Sequence, residues 1–309
     1  MAKHLFGIIC THHGTAANNR AETEGNITTL QKILWNDAIH TTVSAEAIRW
    51  ALRYVWQRKG LPTNRRWQDD LNRHTWEDPE FKRGAEEFID DDVLGFMSAK
   101  AAPAEGSEAQ KEGRRGRARG TANVRRARLE VTRAVSLTPW SGDITFNAAS
   151  INATPSAALQ GDFPVPYGTE VHATRYQYGF ALTPADLARP ERALHVVDGF
   201  VELGEVAGNH ARFLFDFSPE SVVFRWTDDF APRILYAFRD DRNAVRAPAL
   251  LERVRSGDIA ADELVVGGAL SATPDGEELR SRGAKVFAGV KEAAAEVKRI
   301  LRDFLASPG

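Results

Sequence analysis

The sequence predicts an α+β fold with irregular insertions, and three observations carry that prediction. Short apolar or alternating runs and longer amphipathic runs follow one another without the strand–helix–strand alternation of a parallel sheet. Two polar segments, 99–124 and 140–170, interrupt the apolar pattern, and regular strand pattern resumes after each. No internal repeat is present.

In chain order, His4 to Cys10 (HLFGIIC) is apolar enough to be a central strand, and THHGTAANNR, with Gly14 and small polar residues, reads as a loop. Asn26 to about Asn36 reads as a helix. Asn26 can accept a bond from the first free N–H groups, and Ile27, Leu30, Ile33 and Leu34 fall on one stripe. A second helix opens at Ser44, a good N-cap, with Ala45, Ile48, Leu52 and Val55 on the core side. Arg49 and Arg53 stand four apart on another face, so their guanidinium groups project the same way. The positive end of that helix suits a phosphate. The arginine pair suggests a track for a polyanion, and the alternative is a solvated face paired with Glu46.

Residues 58–90 are rich in charge, with Trp67, Trp76, Pro62 and Pro79, and read as a small helical insertion. Asp92 to Met97 reads as a short strand. In 99–124 small residues, Gly and Arg replace any apolar period, which predicts a mobile loop. Its arginines (Arg114, Arg115, Arg117, Arg119) are followed by Arg125, Arg126 and Arg128. Such clusters bind phosphate without reading sequence, or stay solvated.

Leu129 to Leu137 alternates with period two, a strand. Segment 140–170 mixes Gly, Pro, Asn and Ser with β-like DITFNAA and FPVPYG, which suits a protruding hairpin. Val171 to Leu182 resumes regular strand, Ala193 to Leu203 reads as helix or strand, and Arg212–Phe217, Val222–Trp226 and Ile234–Phe238 read as further strands. Ala247–Gly257 and Gly283–Leu305 read as amphipathic helices, the latter with Val286, Val290, Val297, Ile300, Leu301 and Phe304 buried. Phe213, Phe215 and Phe217 could stack bases on a sheet, but alternating phenylalanines usually belong to the core.

Composition narrows the function classes. The chain has 309 residues, 43% hydrophobic and 27% charged, with net charge −2, so nucleic-acid binding would have to come from local patches. Cys10 is the single cysteine, which excludes intramolecular disulfides and thiolate zinc clusters and fits a reducing, cytoplasmic setting. No apolar run approaches membrane-spanning length, and MAKHLFGIIC lacks a signal-like core and cleavage site, so no membrane partner is expected. Adjacent His12 and His13 do not converge on one ion, and no HExxH or neighbouring carboxylate cluster accompanies them. The acidic runs Asp90–Asp92 and Asp228–Asp229 could hold magnesium, but such runs more often cap neighbouring elements or stay solvated. GxSxG, GxGxxG and GxxxxGK[ST] are absent, so neither a serine nucleophile nor nucleotide hydrolysis is supported. No cofactor, metal or catalytic residue is expected.

The segments HLFGIICTHHGTAANNR, EGNITTLQK and IHTTVSAEAIRWALR, followed by LGFM, RLEVTRAVSLTPW and VHATRYQYGFAL, carry a family likeness across residues 4 to 240, strongest in the first 55. The chain resembles the repeated backbone subunit of type I CRISPR interference complexes (Cascade), in the branch called DevR. That resemblance implies a modified RNA-recognition-motif (ferredoxin-like) palm with a helical insertion and a projecting thumb hairpin. Several copies of such a subunit polymerise along the spacer of a guide RNA (crRNA), their thumbs kinking it while the complementary DNA strand pairs between the kinks. Cutting is left to a separately recruited helicase-nuclease. The implied partners are crRNA, further copies of the chain, the target DNA strand and other Cascade subunits of the Cas-five, Cas-six and large-subunit types.

Position by position, the resemblance makes Arg20 and Lys32 backbone contacts and gives Ser44, Arg49 and Arg53 to the helix that receives guide phosphates. Gly208, Asn209, His210 and Arg212 match a loop that closes over RNA, and the thumb spans 140–170 with Phe146 as the inserted wedge. Glu46 stands where many relatives have glutamine; its carboxylate would repel phosphate and is expected to pair with Arg49. Two alternatives belong to other classes: a guide-processing endoribonuclease using His12 or His13 as general base, and a DNA-binding autoregulator. The latter lacks a helix-turn-helix pattern.

Overall fold

The computed structural model describes residues 2–18, 23–99, 122–148, 166–206, 214–241 and 244–307. The chain forms mixed α and β structure. β1 (His4–Thr11) is buried along its whole length, as its unbroken apolar run predicts for a strand covered on both faces. β2 (Gly14–Ala17), β3 (Thr23–Glu24), β4 (Ile27–Thr28), β5 (Lys32–Trp35) and β6 (Ala38–Val43) follow. The helix expected from Asn26 to Asn36 is therefore extended chain. β5 and β6 form a hairpin whose turn residues, Asn36 and Asp37, lie at φ 49° and 62°, a left-handed pair that Asn and Asp tolerate. The turn chemistry overrides the apolar spacing, and Leu34, expected in a core, is 75% exposed.

α1 (Ala45–Arg58) begins where Ser44 predicts, with Ser44 Oγ accepting from Ala47 N–H at 3.2 Å. It buries Ile48, Ala51, Leu52 and Trp56. The insertion after it is a ribbon, β7 (Arg65–Gln68) with β8 (Arg73–Trp76), then two short helices, α2 (Gly84–Glu87) and α3 (Ile89–Leu94). α3 takes residues expected in a strand, which starts only at β9 (Phe96–Ala99); β9 pairs with β10 (Ala122–Arg125).

The three aspartates of α3 are buried and join separate segments. Asp90 accepts from Asn64 N–H (2.7 Å), Arg65 N–H (3.0 Å) and Arg53 (3.1 Å). Asp91 accepts from the Asn64 amide at 2.9 Å. Asp92 takes Arg125 (2.5 Å), Arg192 (2.8 Å) and the N–H groups of Ala188 and Arg189. Burial, with Asp90 beside it, pushes the Asp91 carboxyl up to about 7. In the unfolded chain it would titrate near about 3.9. The folded state therefore holds a proton that the unfolded state has released, so stability falls as pH rises from about 4 to about 7. Asp91→Asn, whose amide oxygen can still accept from Asn64, should raise the unfolding midpoint at pH 8 and leave it nearly unchanged at pH 4. Equal gains at both would contradict this reading.

Expected strand 129–137 is interrupted: β11 (Leu129–Val131) and β12 (Ala134–Ser136) flank Thr132 and Arg133. β13 (Ile144–Ala148) pairs with β14 (Pro166–Thr174), which breaks at Arg175 before β15 (Tyr176–Leu182). At this break the Arg175 guanidinium binds Glu220 (2.5 Å) and Asp240 (2.9 Å). α4 (Arg192–Val201) resolves the helix-or-strand ambiguity as helix, and β16 (Pro219–Thr227) extends the predicted strand. Residues 214–217 are irregular, with Phe215 and Phe217 buried against Tyr176, so the core reading of these rings holds without a strand; Phe213 lies outside the described residues. Ile234 to Phe238 is likewise irregular and buries Ile234, Ala237 and Phe238. The chain ends with β17 (Arg239–Asp241), β18 (Ala244–Arg246), α5 (Pro248–Arg255), β19 (Leu264–Gly268), α6 (Pro274–Ser281), β20 (Lys285–Phe287) and α7 (Val290–Ala306). The last predicted helix is thus a strand followed by a helix.

The main sheet has nine strands among the described residues, ordered β20-β19-β16-β1-β15-β12-β6-β5 with β11 beside β15. Alternation of β1 divides two cores. Leu5 and Ile9 pack with Phe180, Phe224, Trp56, Phe200 and Leu301 beneath α1, α4 and α7. Phe6, Ile8 and Cys10 pack with Val266, Phe238, Leu250 and Leu279 beneath α5 and α6. A smaller sheet, β13-β14-β4-β3 with β2 on β14, stands where β14 runs into β15. No helix among the described residues is long and apolar enough to cross a membrane.

Candidate nucleic-acid interface

The root of the β13–β14 ribbon is tied to the β5–β6 hairpin by one buried carboxylate. Glu170 accepts from Leu30 N–H at 2.7 Å and from Lys32 Nζ at 2.6 Å. Lys32 also lies 4.4 Å from the centre of the Trp140 ring, whose Nε1–H donates to Val171 O at 3.0 Å. Lys32 thus already has an anionic partner, and its first task is to pin the ribbon. Beyond this root Phe146 stands opposite Gly168, 72% exposed, with no side chain across from it. Phe146, expected as the wedge, is thus an exposed side chain of β13.

Arg49 and Arg53 of α1 do not share an outward face. Arg49 donates to Leu129 O at 3.0 Å, and Arg53 is held by buried Asp90. Each bridges α1 to another element, so neither forms the expected solvent-facing track; burial even lowers the Arg53 pKa despite Asp90. Glu46 is exposed in the first turn of α1 and Arg49 is occupied at Leu129 O, so the expected Glu46–Arg49 pair is absent. Ser44 remains at the helix N-terminus, its hydroxyl closing the first turn.

An open cleft of about 520 Å³ beside this root is lined by Glu24, Thr29, Leu30, Gln31, Lys32, Ile33 and Arg133. Arg133, which the sequence reading did not single out, donates to Gln31 (3.3 Å) and Thr42 (3.1 Å) from the break between β11 and β12. The cleft therefore gathers two cations from sequence positions 101 apart, and no local spacing signals that. Arg20, Gly208, Asn209, His210 and Arg212 lie outside the described residues.

His12 and His13 are exposed, and among the described residues no group of His, Cys, Asp and Glu is placed to hold a metal. His172 is buried, bonded to Thr41 Oγ1 (2.7 Å) and Thr138 Oγ1 (3.3 Å), and burial lowers its pKa to about 4. It is neutral near pH 7, a polar joint within the fold.

The profile of the family described as CRISPR-associated negative auto-regulator DevR/Csa2 matches residues 13–257, most of the chain and all of the elements just described around the ribbon and α1. The chain belongs to this family. A relative from Myxococcus xanthus, described as "CRISPR-associated protein Cas7/Cst2/DevR", is 54% identical over 309 residues, covering 97% of this chain and 98% of its own. Among solved structures, a chain of a "CRISPR RNA-guided surveillance complex" superposes with TM-score 0.54 at 11% identity, covering 96% of this chain and 99% of that one. A second, from such a complex described as pre-nicking, gives TM-score 0.57 at 10% identity, covering 96% and 100%. The DevR/Csa2 chain therefore shares its fold with subunits of those assemblies.

Proposed function

We propose that this DevR/Csa2 chain is a guide-RNA-binding backbone subunit of a type I Cascade complex, holding crRNA along its spacer without cutting it. The observation that carries the reading is the near-full-length relationship to a protein described as Cas7/Cst2/DevR. In this reading the main sheet is a modified RNA-recognition palm and the β13–β14 ribbon its thumb, with Phe146 as wedge. Guide phosphates pass the Lys32–Arg133 cleft and the N-terminus of α1, while pairing supplies the sequence specificity. Arg49 and Arg53 support this track by fixing α1 to β11 and α3 rather than by touching phosphate. Further copies, target DNA and the Cas-five, Cas-six and large-subunit types complete the assembly, and a heterologous contact that does not close extends as a helix.

A holder and a guide-processing enzyme are separated by incubating the purified chain with repeat RNA. The reading predicts intact RNA from the wild type and unaltered RNA retention by His12→Ala/His13→Ala. Repeat cleavage that disappears in the double variant would replace this reading by the endoribonuclease.

A further inference from the structure

At the other end of the main sheet a second cleft, of about 310 Å³, opens between the His4 end of β1, the Leu182 end of β15, β11 and the segment around Phe230. Because β1 and β15 are antiparallel, with Leu5 opposite Leu182 and Cys10 opposite Gln177, this end lies roughly 20 Å along the strands from the end that carries the ribbon. Its size falls where small-molecule sites begin, about 300 Å³.

Three features of the lining remain unexplained by the fold. Arg128 anchors its backbone N–H on Val93 O at 3.0 Å, yet its guanidinium has no hydrogen-bond or ion-pair partner among the described residues, and its Nε is buried. Arg128 is half-buried, and its Nε is, like those of Arg49 and Arg65, buried without an acceptor, which is costly and leaves the guanidinium with capacity for a partner the fold does not supply. Phe230 stands 80% exposed, its ring edge-on to His4 at 5.1 Å, and His4 is fixed by Nδ1 to Thr183 Oγ1 at 2.8 Å. The rim carries Arg126, paired to Glu130 at 3.3 Å, and exposed Asp186.

We propose that this cleft binds one nucleoside monophosphate unit, either a free nucleotide or the phosphorylated end of a strand. Arg128 takes the phosphate as a charge-assisted donor. Phe230 supplies the face on which the base stacks. The Glu130 and Asp186 carboxylates repel a continuous polyanion and offer acceptors to ribose hydroxyls, which selects a single unit over a strand running through. The site is separate from the guide track and stands independently of it.

The test is calorimetric titration of the full-length chain, purified without guide, with AMP, UMP, adenosine, inorganic phosphate, and a pentanucleotide with or without a 5′-phosphate. The variants are Phe230→Ala, whose exposed ring leaves folding intact, Arg128→Gln, and exposed Arg280→Gln as control. AMP should bind more tightly than phosphate or adenosine, and Phe230→Ala and Arg128→Gln should each weaken it about tenfold, consistent with loss of one stack or one charged contact. Arg280→Gln should change nothing. A phosphorylated pentanucleotide that matches AMP assigns a strand end, and one that fails assigns a free nucleotide. Absence of saturable AMP or UMP binding at millimolar concentration, phosphate binding as tightly as AMP, or indifference to both variants would overturn the proposal. Guide retention by Phe230→Ala, measured in parallel, should equal the wild type and keeps this outcome distinct from that of the guide-holding reading.

Discussion

Asp92→Ala should destabilise the protein by about 3–5 kcal/mol, the cost of stranding buried charges, and lower its urea midpoint accordingly. Asp92 is inaccessible to solvent and receives Arg125 from β10, Arg192 from α4 and two backbone N–H groups ahead of α4. Arg192 is itself buried, and among the described residues its remaining donors reach only the carbonyls of Ala85, Glu86 and Glu87. Without the carboxylate its charge is offset by dipoles alone, and the insertion, α4 and the β9–β10 ribbon lose their common tie. Asp92→Asn keeps one acceptor oxygen and should lose less. The effect should be nearly independent of salt, because the pair is shielded from mobile ions. A loss no larger than about 1 kcal/mol, the range of exposed ion pairs, would contradict this assignment.

The second large effect should appear at Glu170, where stability and function meet. Glu170→Ala removes the acceptor for Leu30 N–H and the partner of Lys32, two bonds within one buried joint. Each such loss costs about 1–3 kcal/mol, and both fall on the root of the β13–β14 ribbon. Proteolysis should therefore quicken within residues 140–170 while the main sheet stays resistant, and guide RNA retention should fall well below that of Phe146→Ala. Glu170→Gln, still an acceptor for Leu30, should lie between. Unchanged proteolysis and full RNA retention in Glu170→Ala would show that the joint does not position the ribbon.

These two sites also show where the sequence was legible. β1 and α1 could be read directly, because each carries a single clear pattern: an unbroken apolar run, and a serine cap before a 3.6-residue stripe. The amphipathic face of α7 was legible too, but its start was not, because Lys285–Phe287 leaves the helical stripe to pair as β20. The motifs of the first 55 residues likewise carried the family. Asn26 to Asn36 misled because short apolar spacing fits helix or strand, and the Asn36–Asp37 turn decided between them. Arg49 and Arg53 misled differently. Spacing places two side chains on one helix surface, but only the neighbouring β11 and α3 reveal that the surface is covered. Lys32 and Glu170 stand 138 residues apart, so no local pattern could announce their bond. The acidic run at Asp90–Asp92 was expected to cap elements or stay solvated, and its burial is visible only once Asn64, Arg125 and Arg192 are placed around it.

The guide-holding account is tested most directly by co-expressing the chain with a guide RNA and its partner subunits, and by measuring the co-purifying nucleic acid and the particle mass before and after ribonuclease. The account predicts RNA of uniform length in a large particle that falls apart when the RNA is digested. A chain that purifies from that mixture as an RNA-free monomer would contradict it.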